Sequence, residues 1–262
     1  MDLSGLIDLV ANQRMYLTQV MAWPDLYETD ALREVVKFVL EETDLAELVP
    51  TPAKSSEVAA LRQKLGSAIV EHTAKSVYAQ CWTRREDSDA MWRIYSPDKR
   101  GVRLGVDRAK VRNAIQSTFQ EVDYCEVEYV SSEDARKKAL APFRGGKGSC
   151  SIASLCRFKR PAFDHEHEHR FCLADTSVVL EIRPDDAVSM QRDLQLLAVH
   201  AFPEKVYYEF NPALVDEVTL DPRLDASRDQ WFFETIRSIC AKNAIDVAKI
   251  DQSELYRRPG GA

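Results

Sequence analysis

Residues 163–171 constrain the fold of this chain more than any other segment. Their sequence, Phe-Asp-His-Glu-His-Glu-His-Arg-Phe, contains three of the five histidines and alternates them with glutamate and arginine. In a β-strand, successive side chains point to opposite faces. A strand here would place Glu166, Glu168 and Arg170 on one face and the three histidines on the other.

The Glu-x-Glu-x-Arg face is a candidate site for binding or polarising a substrate. Two carboxylates at positions i and i+2 beside a cation are costly to bring together unless something uses them. The alternative interpretation is a solvated strand at the edge of a sheet. Both interpretations follow from the same short pattern.

Length and composition predict a folded protein with one domain over residues 1–262. Hydrophobic residues make up 45% of the chain and charged residues 29%, and glycine and proline are sparse. No apolar stretch reaches the length of a membrane span, and the first residues lack the features of a signal peptide. The six cysteines form no Cys-x-x-Cys pair and are expected to be reduced. We therefore expect a cytoplasmic protein with no membrane partner.

The net charge of −7 argues against a general surface for nucleic acid. Residues 136–160 differ from this average, because they contain eight basic residues and no acidic one. These are Arg136, Lys137, Lys138, Arg144, Lys147, Arg157, Lys159 and Arg160. This segment could hold the phosphates of a nucleotide or of a nucleic acid, and the alternative is a solvated loop. Nucleic-acid binding is expected only through this segment.

The order of helical and extended patterns predicts the fold class. Ser76 to Thr83 alternates like a strand, and Ser88 to Tyr95 is typical of a helix. Glu166 to Leu173 and Val178 to Arg183 have the spacing of a β-hairpin, and Asp107 can cap a helix. Strands and helices do not alternate regularly, so we expect an α+β fold with a mixed or antiparallel central sheet flanked by helices. A cleft is expected between residues 81–106 and the strand of Glu166.

Several separated motifs resemble one family. They are Tyr16-Leu17-Thr18 with Trp23-Pro24-Asp25-Leu26-Tyr27-Glu28, then Cys81-Trp82-Thr83 with Ser88, Met91-Trp92, Tyr95 and Gly101-Val102, and finally Phe158-Lys159 with Glu166, Glu168 and Arg170. In order and spacing they resemble the bacterial domain-of-unknown-function family 2971 over about residues 3–255. Leu26 replaces the proline that is usual in the family pattern.

The family has no agreed biochemical function, but its layout is similar to that of ADP-ribosyltransferases. The shared features are a basic residue on the first strand, a Ser/Thr residue on a middle strand and a Glu-x-Glu strand. This similarity implies a fold like theirs and NAD as a substrate, with no metal required. Their chemistry passes through a cation-like ribose, which a carboxylate stabilises. NAD glycohydrolase activity is an equivalent expectation.

The resemblance implies a role for each residue of the candidate site. Glu166 and Glu168 are the implied catalytic residues, with Glu168 holding the ribose and Glu166 positioning the acceptor. Arg170, Lys159 or Arg157 would steady the pyrophosphate. The other implied substrate-binding residues are Trp92, Tyr95, Thr83, Asp25 and Glu28, with the two aromatic rings available for stacking.

Each of these residues also has a structural interpretation. Trp92 and Tyr95, three positions apart on a helix, are often core and boundary residues. Asp25 and Glu28 would cap the helix that follows them. Arg170 would neutralise Glu168, and Thr83 would be an ordinary strand residue.

Two other functions compete with the transferase hypothesis. His165, His167 and His169 could serve a metal-dependent hydrolase, although they would span roughly 13 Å along a strand and at most two would bind one ion. A non-catalytic module for nucleotide sensing or protein interaction is the other alternative. A toxin or an effector in phage defence is a setting that fits either an enzyme or a sensor.

Overall fold

The structure of the protein is a computed structural model. It describes residues 1–42, 56–143, 151, 153–175, 195–197, 199–225 and 227–257. The α-helices are α1 (Leu3–Asn12), α2 (Asp30–Glu42), α3 (Ser56–Lys75), α4 (Asp89–Tyr95), α5 (Arg108–Thr118), α6 (Ser132–Leu140) and α7 (Gln230–Lys242). Short 3-10 helices cover Val20–Ala22, Leu26–Thr29, Ala153–Arg157, Pro161–Glu166, Pro212–Leu214 and Val247–Lys249.

A five-stranded antiparallel sheet is the centre of the fold. The strands are β1 (Arg14–Gln19), β2 (Val77–Thr83), β3 (Val102–Gly105), β4 (Asp123–Glu126), β5 (Glu128–Tyr129), β6 (Phe158–Lys159), β7 (Glu168–Ala174), β8 (Lys205–Glu209), β9 (Glu217–Leu220) and β10 (Ile250–Gln252). The central sheet has the order β4-β7-β2-β1-β8. Smaller sheets join β10, β9 and β3, and β5 with β6. The α+β fold predicted from the sequence is therefore confirmed, and of the two expected sheet types the central sheet is antiparallel.

The central sheet separates two hydrophobic cores. On one face, Leu17, Tyr78 and Phe171 pack with apolar residues of α1, α5 and α7. On the other face, Ala79 and Cys172 pack with residues of α2, α6 and the 3-10 helix Ala153–Arg157. Alternation along each strand sends neighbouring side chains to different cores. On β7, Glu168 and Arg170 therefore share the face of Cys172.

One expected strand begins later than predicted. Residues 161–166 form a 3-10 helix with Pro161 in its first turn, and His167 has a left-handed backbone with φ 44°. The strand begins at Glu168, so the expected arrangement of three histidines on one strand face is wrong. A proline fixes its own φ and favours the start of a helical turn over a strand interior. The predicted partner strand, residues 178–183, lies outside the described residues, and the single domain stays a prediction.

The helix expected after Asp107 is confirmed. The Asp107 side chain accepts hydrogen bonds from the backbone N–H groups of Ala109 and Lys110 at 2.8 and 3.4 Å. This cap satisfies donors that the first turn of α5 leaves open. Val111 and Ile115 then reach the first core from the same helix.

Replacing Asp107 by alanine should lower the free energy of unfolding by about 1 kcal/mol, because α5 loses its cap. Urea denaturation would measure this change. Asp107→Asn retains an acceptor oxygen and should stay close to wild type, so an equal loss in both variants would contradict the capping role.

Candidate functional site

The buried guanidinium of Arg170 is the centre of the candidate site. Arg170 is 0% exposed, and its Nε and Nη2 donate to the two carboxylate oxygens of Glu168 at 2.9 and 3.1 Å. Its Nη2 also donates to Glu28, and its Nη1 donates to the carbonyl of Cys156 at 2.5 Å. The ring of Trp23 lies 4.6 Å from the guanidinium carbon. The N–H donors at the edge of the guanidinium are thus met by carboxylate and carbonyl oxygens, and one face of its plane is covered by an aromatic ring.

Lys159 connects the three glutamates of the site. Its Nζ lies 2.6 Å from Glu166, 3.0 Å from Glu168 and 3.6 Å from Glu28. We call Glu28, Lys159, Glu166, Glu168 and Arg170 the carboxylate cluster. They come from the 3-10 helix before α2, from β6, from the 3-10 helix before β7 and from β7 itself. The Glu-x-Glu side chains do converge, although only Glu168 lies on the strand.

The carboxylate cluster has a surplus of negative charge. It contains three carboxylates and two cations, so one negative charge remains when every group is ionised. Burial alone would raise the pKa of the Glu168 carboxyl, but Arg170 and Lys159 lower it to about 2. Burial raises the pKa of Glu28, and the same two cations only partly oppose this shift. Among the three carboxyls, Glu28 is therefore the one whose charged form is disfavoured by burial of the surplus negative charge.

The accessible edge of the cluster is formed by Tyr95 and Cys81. Tyr95 is 53% exposed, and its hydroxyl donates to Glu166 over 3.3 Å. Cys81 is an exposed residue of β2. The strand of Cys81 pairs directly with β7, with Cys81 opposite Arg170. Residues 81–95 and the Glu166–Arg170 segment thus meet where the cleft was expected.

Three of the predicted substrate-binding residues form contacts within the protein: Thr83, Asp25 and Trp92. The Thr83 hydroxyl donates to the backbone carbonyl of Glu166 at 2.6 Å. Asp25 accepts from the N–H of Tyr27 in the first turn of a 3-10 helix and pairs with Arg160. The Trp92 ring is 6% exposed and donates to Asp87 at 2.6 Å, so it is a buried residue and is not placed to stack on a ligand.

The described cations of segment 136–160 are neutralised within the fold. Arg136 pairs with Glu34, Lys137 with Glu133, Lys138 and Arg157 with Glu128, and Arg160 with Asp25. Arg144 and Lys147 lie outside the described residues. The acidic partners come from elements near this segment in space, which a linear count of charge does not reveal. Nucleic-acid binding through this segment stays a prediction.

The histidines are arranged differently from the metal hypothesis. His169 stacks near Tyr124 on the face of the first core, and the exposed His167 approaches Arg85. Among the residues that the structure describes, no group of three or more His, Cys, Asp or Glu side chains is placed to hold a metal ion. The histidine face on which a metal-dependent hydrolase would rest is therefore not formed.

Three groups at the site were missed by sequence reasoning. Trp23 covers the Arg170 guanidinium, and the carbonyl of Cys156 accepts from it. The Tyr129 hydroxyl accepts from the backbone N–H of Glu168 at 2.8 Å. Trp23 belongs to a quoted motif, whereas a carbonyl leaves no trace in the sequence. A tyrosine at the end of a short strand such as β5 gives no signal of its own.

A separate cavity of about 470 Å³ lies between α7 and β10. It is lined by residues such as Phe233, Arg237, Gln252 and Tyr256, and none of the predicted site residues lines it. Among the described helices, none combines the length and the apolar character that crossing a membrane requires.

Replacing Glu168 by glutamine should lower the free energy of unfolding by about 3–5 kcal/mol, because it leaves buried cations without their shared carboxylate. Urea denaturation would measure this loss. Glu126→Gln is a matched control on β4, where the glutamate is exposed and pairs with Arg84, and it should change stability by less than about 1 kcal/mol. Equal effects would contradict the central role of the cluster.

The stabilising effect of Glu168 should disappear in acid. Its pKa of about 2 in the folded protein lies below the ordinary value of 4.5, so its contribution is complete above pH 4.5. It is lost as the pH falls from 4.5 toward 2. The difference in free energy of unfolding between wild type and Glu168→Gln, measured by urea denaturation from pH 7 to pH 3, should be constant and then decrease. A difference that grows in acid would contradict this assignment.

Comparison with known protein families gives a match to a segment that contains four of the five residues of the carboxylate cluster. No curated protein and no solved structure matches the chain. Residues 91–171 match the family described as Protein of unknown function (DUF2971). This segment includes Tyr95, Lys159, Glu166, Glu168 and Arg170, so the resemblance to this family is confirmed over residues 91–171, where the chain is similar to DUF2971.

Proposed function

We propose that the protein binds NAD⁺ beside Glu166 and cleaves the bond between nicotinamide and ribose, as a glycohydrolase or an ADP-ribosyltransferase. One observation carries the proposal: three carboxylates converge on Lys159 with one negative charge in surplus, next to the accessible ring of Tyr95. NAD as the substrate is part of the proposal.

The charge of the carboxylate cluster suits this reaction. The nicotinamide ring of NAD⁺ is a cation, and positive charge develops on the ribose as the bond breaks. A fixed negative site that water reaches poorly stabilises such charge more than a solvated carboxylate does. Glu166 and Glu168 are each less than 10% exposed, so solvent screens their charge only weakly.

Tyr95 is the group that a ligand would meet first. Its ring is half-exposed at the end of α4, and its contact with Glu166 is a long hydrogen bond of 3.3 Å. A planar nicotinamide or adenine ring can stack on an aromatic face of this kind. Displacement of the tyrosine hydroxyl would bring the ligand against the Glu166 carboxylate.

The two glutamates would then have different tasks. Glu168 is committed to Arg170 and Lys159, so it contributes fixed charge below the ribose. Glu166 has fewer partners and would orient the attacking water or an acceptor hydroxyl. The C1′–N bond breaks with its electron pair going to the nicotinamide nitrogen, and the attacking oxygen bonds to C1′ and gives its proton to Glu166. The products are nicotinamide and ADP-ribose or an ADP-ribosylated acceptor.

A non-catalytic nucleotide sensor is the second candidate. It is favoured by the internal pairing of the cluster, because every charged group in it already has a partner within the protein. A sensor would use the same accessible edge to bind a nucleotide but would leave the glycosidic bond intact.

Wild-type protein titrated with NAD⁺ should release heat of binding and free nicotinamide, which calorimetry and chromatography would measure. Glu166→Gln should lower the rate of nicotinamide release by about 100-fold or more, because the reacting oxygen loses its base. Glu166 is preferred to Glu168 for this test because Glu168 also supports the fold.

Glu126→Gln is the control, since it removes an exposed glutamate from β4 with the same change of charge. Circular dichroism would show that all three proteins are folded. Binding without nicotinamide release would favour the sensor, and the absence of both in folded protein would overturn the NAD⁺ proposal.

A further inference from the structure

We infer that Arg85 and His167 form an anion-binding subsite beside the carboxylate cluster, and that it takes the phosphate groups of a nucleotide. The inference deepens the proposed function and rests on it for the identity of the nucleotide. It assigns the phosphates to Arg85, which no sequence motif indicated, and to His167, which the sequence pattern indicated only as a metal ligand.

Arg85 and His167 form an unusual contact between two basic side chains. Arg85 Nη2 lies 2.8 Å from His167 Nε2, and both residues are exposed. Within the part of the chain that the structure describes, neither side chain is ion-paired with a carboxylate. A guanidinium has five N–H donors, so most of those on Arg85 are available to a ligand.

The basic residues first expected to hold phosphate are committed elsewhere. Arg170 is fully buried against Glu28 and Glu168, and Lys159 is surrounded by three carboxylates. Arg157 pairs with Glu128. An anionic ligand approaching the cluster would be repelled by its surplus negative charge unless a cation stood beside it. Arg85 supplies that charge from outside the cluster.

Backbone contacts hold the Arg85–His167 pair next to Glu166. The Thr83 hydroxyl accepts from the N–H of Arg85 at 3.0 Å and donates to the carbonyl of Glu166 at 2.6 Å. The N–H of Arg84 donates to the carbonyl of His167 at 3.2 Å. Two chain segments far apart in sequence are thereby fixed side by side. The basic pair is therefore anchored to the backbone of Glu166.

The backbone of His167 supports a role for its side chain. Its φ of 44° lies in the left-handed region, which favours glycine and tolerates asparagine. A residue with a side chain is strained there, and strain of this kind is concentrated at functional sites. The turn itself requires no imidazole, so the backbone leaves the ring available to a ligand.

Neighbouring acidic side chains leave the pair unneutralised. Glu126 is held by Arg84, and Asp87 accepts from Trp92. Glu86 and Asp164 are exposed, and in the described part of the chain neither forms an ion pair with Arg85 or His167. Arg85 would bind a phosphate through two parallel hydrogen bonds, while the imidazole donates to a third oxygen.

Calorimetric titration of the full chain with inorganic pyrophosphate, ADP and NAD⁺, at constant ionic strength, tests the inference. Arg85→Gln and His167→Asn should each weaken binding of pyrophosphate and ADP by about tenfold or more. Asparagine tolerates the left-handed backbone, so His167→Asn removes the imidazole without disturbing the turn. Arg84→Gln is the matched control, with the same change of charge one residue away, and should weaken binding much less.

The outcomes separate this inference from the proposed function. NAD⁺ cleavage with unchanged affinity in Arg85→Gln and His167→Asn would overturn the subsite and leave the enzyme standing. Pyrophosphate binding that depends on both residues, without NAD⁺ cleavage, would support the subsite and refute the enzyme. Equal weakening in Arg84→Gln would show general attraction of anions and would also overturn the subsite.

Discussion

The rest of the site depends on the burial of one guanidinium. Arg170 has no contact with solvent, and an unpaired charge in that position would be strongly destabilising. Glu28, Glu168 and the Cys156 carbonyl meet its donors, and Trp23 lies against its plane. These partners belong to separate parts of the chain, so satisfying a single side chain fixes the relative positions of the sheet and the short helices that cover it.

The carboxylate cluster stabilises the buried cations but keeps one negative charge in surplus. Two cations would be sufficient for two carboxylates, yet a third carboxylate is present, and burial raises the pKa of Glu28 as a consequence. Two carboxylates would balance the charge of Arg170 and Lys159, so the third leaves one negative charge that the pairing inside the cluster does not match. A positively charged ligand at the edge of the site would remove the imbalance, and this links the energetics of the fold to the function that we propose.

Sequence reasoning predicted an α+β fold with a mixed or antiparallel sheet, the cap at Asp107 and the meeting of Tyr95 with the Glu-x-Glu segment. It was wrong about the start of β7, because periodicity in 163–171 cannot show that Pro161 begins a helical turn before the strand. Sequence reasoning also could not predict the ion pairs of the basic segment 136–160, because their acidic partners are brought close by tertiary contacts. Trp92 illustrates the same limit. An aromatic residue in a motif can pack in the core or stack on a ligand, and the sequence does not distinguish the two until the neighbouring residues are known.

The residues that match the family do not contain a complete site. Glu28, Trp23 and Thr83 lie before residue 91, and β2, which pairs with β7 along its whole length, lies there too. A fragment limited to residues 91–171 would expose a sheet edge and leave Arg170 without one of its carboxylates. The matched segment therefore supplies Lys159, Glu166, Glu168 and Arg170, whereas the charge balance and the aromatic cover of the guanidinium are set by Glu28 and Trp23, which lie before it in the chain.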